Sequence, residues 1–236
     1  MHKHFYLVTL EKLTHKLYLD ASRISVTGIV LLLFLLTNVR SQDHPGAGMV
    51  SIQFDDKTEL RFYKDTFESD PVHVLKFFYD TAVYGYNIRS LAKHRVWLDP
   101  ELLWLEYGRF LLRCEVASGD WYKVVVDKGA GTTLWLRHGE SVGLIDWPMF
   151  LRSTSGIVRL RDHPQKIRAT PSDSGKSIVY TGPDCFQVRR VQGDWIEIFT
   201  HELCADEHPG IRNPLQSGWI RWRRGALLLI EYFLAG

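Results

Sequence analysis

The tripeptide Gly-Asp-Trp occurs twice, at Gly119-Asp120-Trp121 and Gly193-Asp194-Trp195, each time between two strand-like runs. Upstream of each lies an Ile-Arg stretch, Asn87-Ile88-Arg89-Ser90 and Lys166-Ile167-Arg168-Ala169. Downstream come Trp135-Leu136-Arg137 and Trp219-Ile220-Arg221, then Leu144-Ile145-Asp146-Trp147 and Leu229-Ile230-Glu231-Tyr232. Four landmarks in one order, twice, imply an internal duplication. A small β unit used twice favours a binding or scaffold protein over an enzyme. In each tripeptide Gly supplies a turn with positive φ, Asp bonds neighbouring amides, and Trp seats a large ring at a strand start. Gly119, Asp120, Trp121, Gly193, Asp194 and Trp195 are therefore structural turn markers, with both Trp rings expected in the core.

Apolar residues at 45% and charged residues at 24% are ordinary for a globular chain. An aromatic share of 13%, with eight Trp, favours strands. Strands are expected at 110–116, 121–127, 133–137 and 142–147, and again at 177–180, 186–191, 195–199, 218–221 and 227–233. The segment 99–110 is the one short helix candidate. Ahead of the repeats, Leu60–Asp65 and Leu75–Asp80 read as a hairpin, with 51–54 as a third strand. The expected organisation is a leader over 1–41, a β extension over 42–85 that packs on the first repeat, a first barrel over 86–152 and a second over 153–236. An insertion rich in Pro, acids and His runs from His201 to Gln216.

The unbroken apolar run Ile29–Leu36 follows several basic residues and precedes Val39-Arg40-Ser41. This is the pattern of a secretory signal peptide cleaved after Ser41, and so of a secreted or periplasmic protein. The apolar stretch 24–36 is shorter than the roughly 18–20 residues that span a bilayer, so membrane contact is expected through the leader alone. Residues 1–41 carry five Lys and Arg against two acids, a balance of +3. Taking this from the whole chain's +2 leaves −1, which gives no footprint for nucleic acid. Three cysteines are few for an extracellular disulfide framework. Cys185 and Cys204 flank Trp195 in a way that would bring them to one end of a hairpin, as a disulfide or as two buried thiols. Cys114 is expected to be buried and unpaired.

The succession of an Ile-Arg strand, a Pro/Ser/Gly loop, a hydrophobic strand, Gly-Asp-Trp and a Gly-Trp-Ile strand resembles the bacterial SH3-like domain. That family is a five- to six-stranded barrel found in tandem in secreted and envelope proteins. The second copy matches through Lys166-Ile167-Arg168-Ala169-Thr170-Pro171, Gly193-Asp194-Trp195-Ile196-Glu197-Ile198 and Ser217-Gly218-Trp219-Ile220. The first keeps Asn87-Ile88-Arg89-Ser90 and Gly119-Asp120-Trp121, but has Thr133-Leu134 where the second has Gly218 before its Trp. The resemblance spans residues 86–236. It implies an all-β fold of two tandem SH3-like barrels, with the N-terminal β-hairpin extension and the signal peptide ahead of them.

Two motifs mimic catalytic or metal sites. Arg137-His138-Gly139 resembles the phosphohistidine motif of histidine phosphatases, in which His attacks a phosphoryl group held by Arg residues. That motif opens an α/β domain, whereas here fewer than 100 residues follow it and the duplication sets it in a turn. His201-x2-Cys204-x3-His208 has zinc-like spacing, but lies in a hydrophilic loop and competes with the disulfide. No metal and no cofactor are expected. The aromatics without a turn role, Trp135, Trp147, Trp222 and Tyr232, are the candidate ligand-facing residues. The expected function is non-catalytic recognition of a cell-wall peptide or a protein partner. The alternatives are a phosphoryl-transfer hydrolase using His138, and a structural spacer.

Overall fold

The computed structural model describes residues 45–200 and 214–234, so the leader and most of the insertion, with Cys204 and the His201/His208 pair, lie outside the described residues. The described chain is all-β, with two sheets curled into half-barrels. The first is built from β1 (Gly48–Ile52), β2 (Glu59–Tyr63), β3 (His73–Asp80), β4 (Gly85–Ile88), β5 (Leu102–Trp104), β6 (Arg109–Ser118), β7 (Trp121–Asp127), β8 (Thr132–Arg137) and β9 (Val142–Asp146). Its strand order is β4-β3-β2-β8-β7-β6-β1-β9, with β5 paired to β6. The second is built from β10 (Gly156–Arg159), β11 (Ile167–Arg168), β12 (Ser177–Ile178), β13 (Phe186–Gln192), β14 (Trp195–Thr200), β15 (Gly218–Arg221) and β18 (Ile230–Phe233), in the order β12-β11-β15-β14-β13-β10-β18. A ribbon of β16 (Arg223–Arg224) and β17 (Leu227–Leu228) joins β15 to β18.

The two orders superimpose strand for strand once β4 and β5 are set aside. The first copy therefore begins at β1, and the segment expected as an extension supplies three strands of its sheet. The boundary expected at residue 86 falls inside β4. The duplication extends to irregularities: the β6–β7 register shifts between Cys114 and Val116, and the β13–β14 register between Val188 and Arg190, each ahead of a Gly-Asp-Trp turn. Gly119 and Gly193 hold φ of 55° and 56°, the left-handed turn conformation that glycine adopts without a steric penalty. Trp121 faces Arg137 across β7–β8 as Trp195 faces Arg221 across β14–β15.

Strand alternation sends Leu60, Phe62, Leu75, Phe77, Tyr122, Val124 and Leu136 into the first core. The runs in β1 and β6 are apolar on both faces for a reason. Val50, Ile52, Phe110 and Leu112 point into the first core, while Met49 and Leu111 point into the second. These two strands are the wall that the cores share. Between the copies lies helix α2 (Trp147–Ser153), preceded in the chain by the helical turn α1 (Leu91–His94). The Asp146 carboxylate accepts the Met149 N–H at 2.7 Å, with Pro148 in the first turn. Asp-Trp-Pro is thus a helix-start signal of the usual kind. Trp147, Phe150 and Leu151 form its buried stripe, and the Ser153 and Thr154 hydroxyls close it on the Phe150 and Leu151 carbonyls. The helix expected at 99–110 is instead β5 and a 3₁₀ turn at Leu105–Tyr107. There the apolar residues of 102–104 pair with β6, and a sheet edge overrides helical periodicity.

Candidate functional site

The register fixes which positions of the two copies correspond. Tyr63 pairs with Trp135 and Arg168 with Trp219, while Trp135 and Trp219 hold equivalent places beside their Gly-Asp-Trp strands. The counterpart of Ile167-Arg168 is therefore Phe62-Tyr63, not Ile88-Arg89, which pairs with β3 at the sheet edge. The local string repeats at 88–89, but strand pairing is non-local and assigns the place to β2.

With this alignment, two surface depressions are the same cleft built twice. The first, of about 610 Å³, is lined by Lys57, Thr58, Glu59, Leu60, Arg61 and Tyr63, and across from them by Arg137 to Val142. The second, of about 400 Å³, is lined by Asp162, His163, Pro164, Gln165, Lys166 and Arg168, and across from them by Arg221, Arg224 and Leu229. Six positions match between the linings, 57–61 and 63 in the first and 162–166 and 168 in the second; Asp55 also lines the first cleft, and Asp173 and Trp195 the second. In both copies an Arg, from β8 or β15, lies over the Trp of Gly-Asp-Trp. The Arg137 guanidinium is 5.4 Å from the Trp121 ring, and that of Arg221 is 4.5 Å from the Trp195 ring, within cation–π range.

The clefts differ in what surrounds that arginine. In the first, Tyr63 packs edge-on against Trp121 at 5.2 Å, where the second has Arg168. Glu59 is bound by Lys76 at 2.9 Å and Arg61 at 2.7 Å. These contacts, Lys76 foremost, hold its carboxyl below the usual range despite the opposing effect of desolvation. Three cations stand against three carboxylates in the first lining, and four against two in the second. In the second, Arg221 is engaged by Asp173 at 2.6 Å and by Asp194 at 3.8 Å. The Gln165 side chain donates to the Arg221 and Leu229 carbonyls and accepts the Arg221 N–H at 2.9 Å, which pins the loop before β11 to β15. In the first copy Leu60 holds that place, turned into the core.

The aromatic candidates from the sequence fall elsewhere. Trp147 and Trp222 are buried with their rings 5.3 Å apart, in the core between the copies. Their indole N–H groups are satisfied by the Pro45 and Gly46 carbonyls and by the Gly193 carbonyl. Tyr232 is half-buried, and its hydroxyl donates to Glu101 at 2.5 Å. Burial, then the Glu101 charge, raises its pKa well above the usual phenol value. Trp135 is half-buried opposite Lys123 and lines neither cleft. Trp121 and Trp195, expected in the core, are half-buried under their arginines, and Trp195 lines the second cleft. Trp147 opens helix α2 and packs against Trp222, and strand patterns carry no information about a helix packed across a sheet.

His138 lines the first cleft, in the position that Trp222 holds in the second copy: each donates its backbone N–H to the Asp of the turn. Its ring contacts Tyr122 edge-on at 5.8 Å and makes no side-chain hydrogen bond among the described residues. Cys114 is a buried free thiol donating to the Val116 carbonyl, with its pKa pushed up to about 12 by burial. Cys185 is disulfide-bonded, while Cys204, its expected partner, lies outside the described residues. Among the described residues no group of three or more His, Cys, Asp or Glu side chains could hold a metal. Lys57, Arg61, Tyr63 and Asp173 are cleft residues that no motif marks, and the landmark holding Lys166 and Arg168 does not place them in a cleft. The signal for them is the matched lining, which needs the strand pairing. Comparison with family models, characterised proteins and solved structures found no match to this chain.

Proposed function

We propose that the chain is a secreted or periplasmic recognition protein of two SH3-like barrels whose equivalent clefts take extended peptide segments of the cell envelope. The observation that carries this reading is the matched lining: six cleft positions correspond between copies, beside an Arg laid over a half-buried Trp. A groove with an aromatic floor, a guanidinium and loop residues on one wall suits a peptide, whose backbone and side chains need both apolar surface and hydrogen bonds. A strand order shared by both copies, with first and last strands adjacent, suits a small barrel. The apolar leader supports export. Peptidoglycan stem peptides are the preferred ligand class, with a protein partner as the other possibility.

Retention on purified cell-wall sacculi tests the reading. Wild-type protein is expected to be retained above an unrelated secreted protein, and Tyr63→Ala combined with Trp195→Ala to lose that retention. Retention at the level of the unrelated protein removes the peptidoglycan version.

The rival reading is a phosphoryl-transfer hydrolase. His138, Arg137 and Arg61 line one cleft, which favours it. The all-β setting and the absence of a hydrogen-bonded orienting group on His138 among the described residues weigh against it. Phosphatase activity on p-nitrophenyl phosphate that disappears in His138→Ala would promote it.

A further inference from the structure

Resting on the peptide-cleft reading, we propose that the second cleft is a carboxylate site which the protein's own Asp173 occupies until a ligand carboxylate displaces it.

Arg221 is the centre of this site. Its aliphatic stem and guanidinium are mostly sheltered, at 23% exposure, by stacking over Trp195. The open edge of the guanidinium meets Asp173 in a two-pronged pair, Nε to Oδ1 at 3.2 Å and Nη2 to Oδ2 at 2.6 Å. This is the planar fork with which arginine recognises any carboxylate. Asp173 itself is 74% exposed, in the Thr170–Gly175 stretch between β11 and β12. An ion pair with one partner so exposed holds weakly and exchanges readily. Asp173 therefore presents to Arg221 what a ligand carboxylate would present.

The surroundings are built for an anion. Arg168, Lys166 and Arg224 line the same cleft. The hydrogen bond from Arg221, with the added charges of Arg168 and Arg224, holds the Asp173 carboxyl below its usual range. With Asp173 displaced, Asp162 is the one carboxylate left among the described lining residues. Asp194, on the other side of the Arg221 guanidinium, keeps its aim when Asp173 leaves.

The first copy is the internal control. Arg137 lies over Trp121 in the same way but has no ion-pair partner among the described residues. The loop between β2 and β3 carries Asp65, Glu68 and Asp70, and none of them pairs with Arg137. Asp65 binds Thr66 and Phe67 of its own loop, and Asp70 accepts from Ser69. The barrel therefore does not demand the Asp173–Arg221 pair.

An NMR titration following the Trp195 indole N–H tests the proposal, with three probes: N-acetyl-Ala-Ala, its C-terminal amide, and N-acetyl-Glu N-methylamide. Asp173→Asn is expected to bind the free-carboxylate dipeptide about 3- to 10-fold more tightly than wild type, because the competent state is no longer taxed by the internal competitor. The amide is expected to bind neither protein measurably, and Asp173→Asn/Arg221→Gln to lose the gain. Tighter binding of the glutamate probe than of the dipeptide assigns the site to acidic side chains, and the reverse to peptide C-termini; both support a carboxylate site. Equal or weaker binding by Asp173→Asn, or equal gains for acid and amide, overturns it. If neither protein binds any probe the carboxylate site is also overturned, while retention on sacculi reports separately on the cleft reading.

Discussion

The two copies share a backbone and diverge in what fills it. Strand order, the bulge ahead of each Gly-Asp-Trp and both Gly-Asp turns are repeated, yet the residue after the shared Arg of β8 and β15 is exposed His138 in one copy and buried Trp222 in the other. The cause is the neighbourhood: Trp147 of α2 packs against Trp222, and no helix among the described residues covers His138. Opposite Trp135 of β8 and Trp219 of β15, Lys123 of the first copy corresponds to Glu197 of the second. Lys123 forms a half-exposed pair with Glu115 at 3.0 Å. Glu197 is buried and receives Arg190 and the Ser217 hydroxyl, each at 2.6 Å. Turn chemistry defines the fold here, and the face next to the other copy decides which side chains become core.

The sharpest way to break this comparison is truncation at the equivalent positions. Trp222→Ala removes a ring at 2% exposure together with an indole hydrogen bond, and is expected to cost about 3–5 kcal/mol. His138→Ala is expected to stay within about 0.5 kcal/mol of wild type. Urea denaturation of both variants checks this, and comparable losses would sink the assignment of inward and outward faces.

Acid sensitivity is expected to belong to the second copy. The hydrogen bond from Arg190, then that from Ser217 and the Arg charges, outweighs desolvation and holds the Glu197 carboxyl below its ordinary value. A carboxyl depressed in the folded state stabilises above its unfolded pKa of about 4.3, and that contribution fades as pH falls through the lower folded value. Glu197→Gln should cost about 1–3 kcal/mol near neutral pH and show a shallower loss of stability below about pH 4. Glu115→Gln, at a half-exposed pair, should change stability by less than about 1 kcal/mol. Thermal melts across pH 3–7 separate these outcomes, and an unchanged acid slope in Glu197→Gln counts against the buried pair.

The smallest difference between the copies should lie at the Gly-Asp turns. A Cβ at Gly119 or Gly193 meets nothing within 4 Å, so Gly→Ala at either is penalised by φ alone. About 1–2 kcal/mol is expected at each, from the left-handed conformation. A difference greater than about 0.5 kcal/mol between the two, within the usual accuracy of such comparisons, would mean that the turns are not equivalent.

Much of the fold was legible in local strings. Strand positions around both Gly-Asp-Trp turns, the hairpin at 60–80 and the unpaired, buried Cys114 needed only alternation and turn residues. The Ile-Arg landmark misled because two residues recur easily, while the true counterpart, Phe62-Tyr63, shares no letters with Ile167-Arg168. Trp147 and Trp222, read as exposed, are buried for a different reason. Ile220 and Trp222 share a face by alternation, but which face is covered depends on α2, about 70 residues upstream. Asp173 had no signal of its own, since an acid in a Ser-rich loop reads as solvated until Arg221 is seen opposite it.

The double burial of β1 has a consequence for synthesis. Gly48 pairs with Cys114 and with Asp146, and Met49 reaches into a core whose other members extend to Ile230. The first of the described strands to leave the ribosome is thus among the last to find all its neighbours. At roughly 5–20 residues per second the wait for β9 alone is several seconds. Over that time Met49-Val50-Ser51-Ile52 is an apolar segment with two unsatisfied faces, and whatever escorts the nascent chain must shield it.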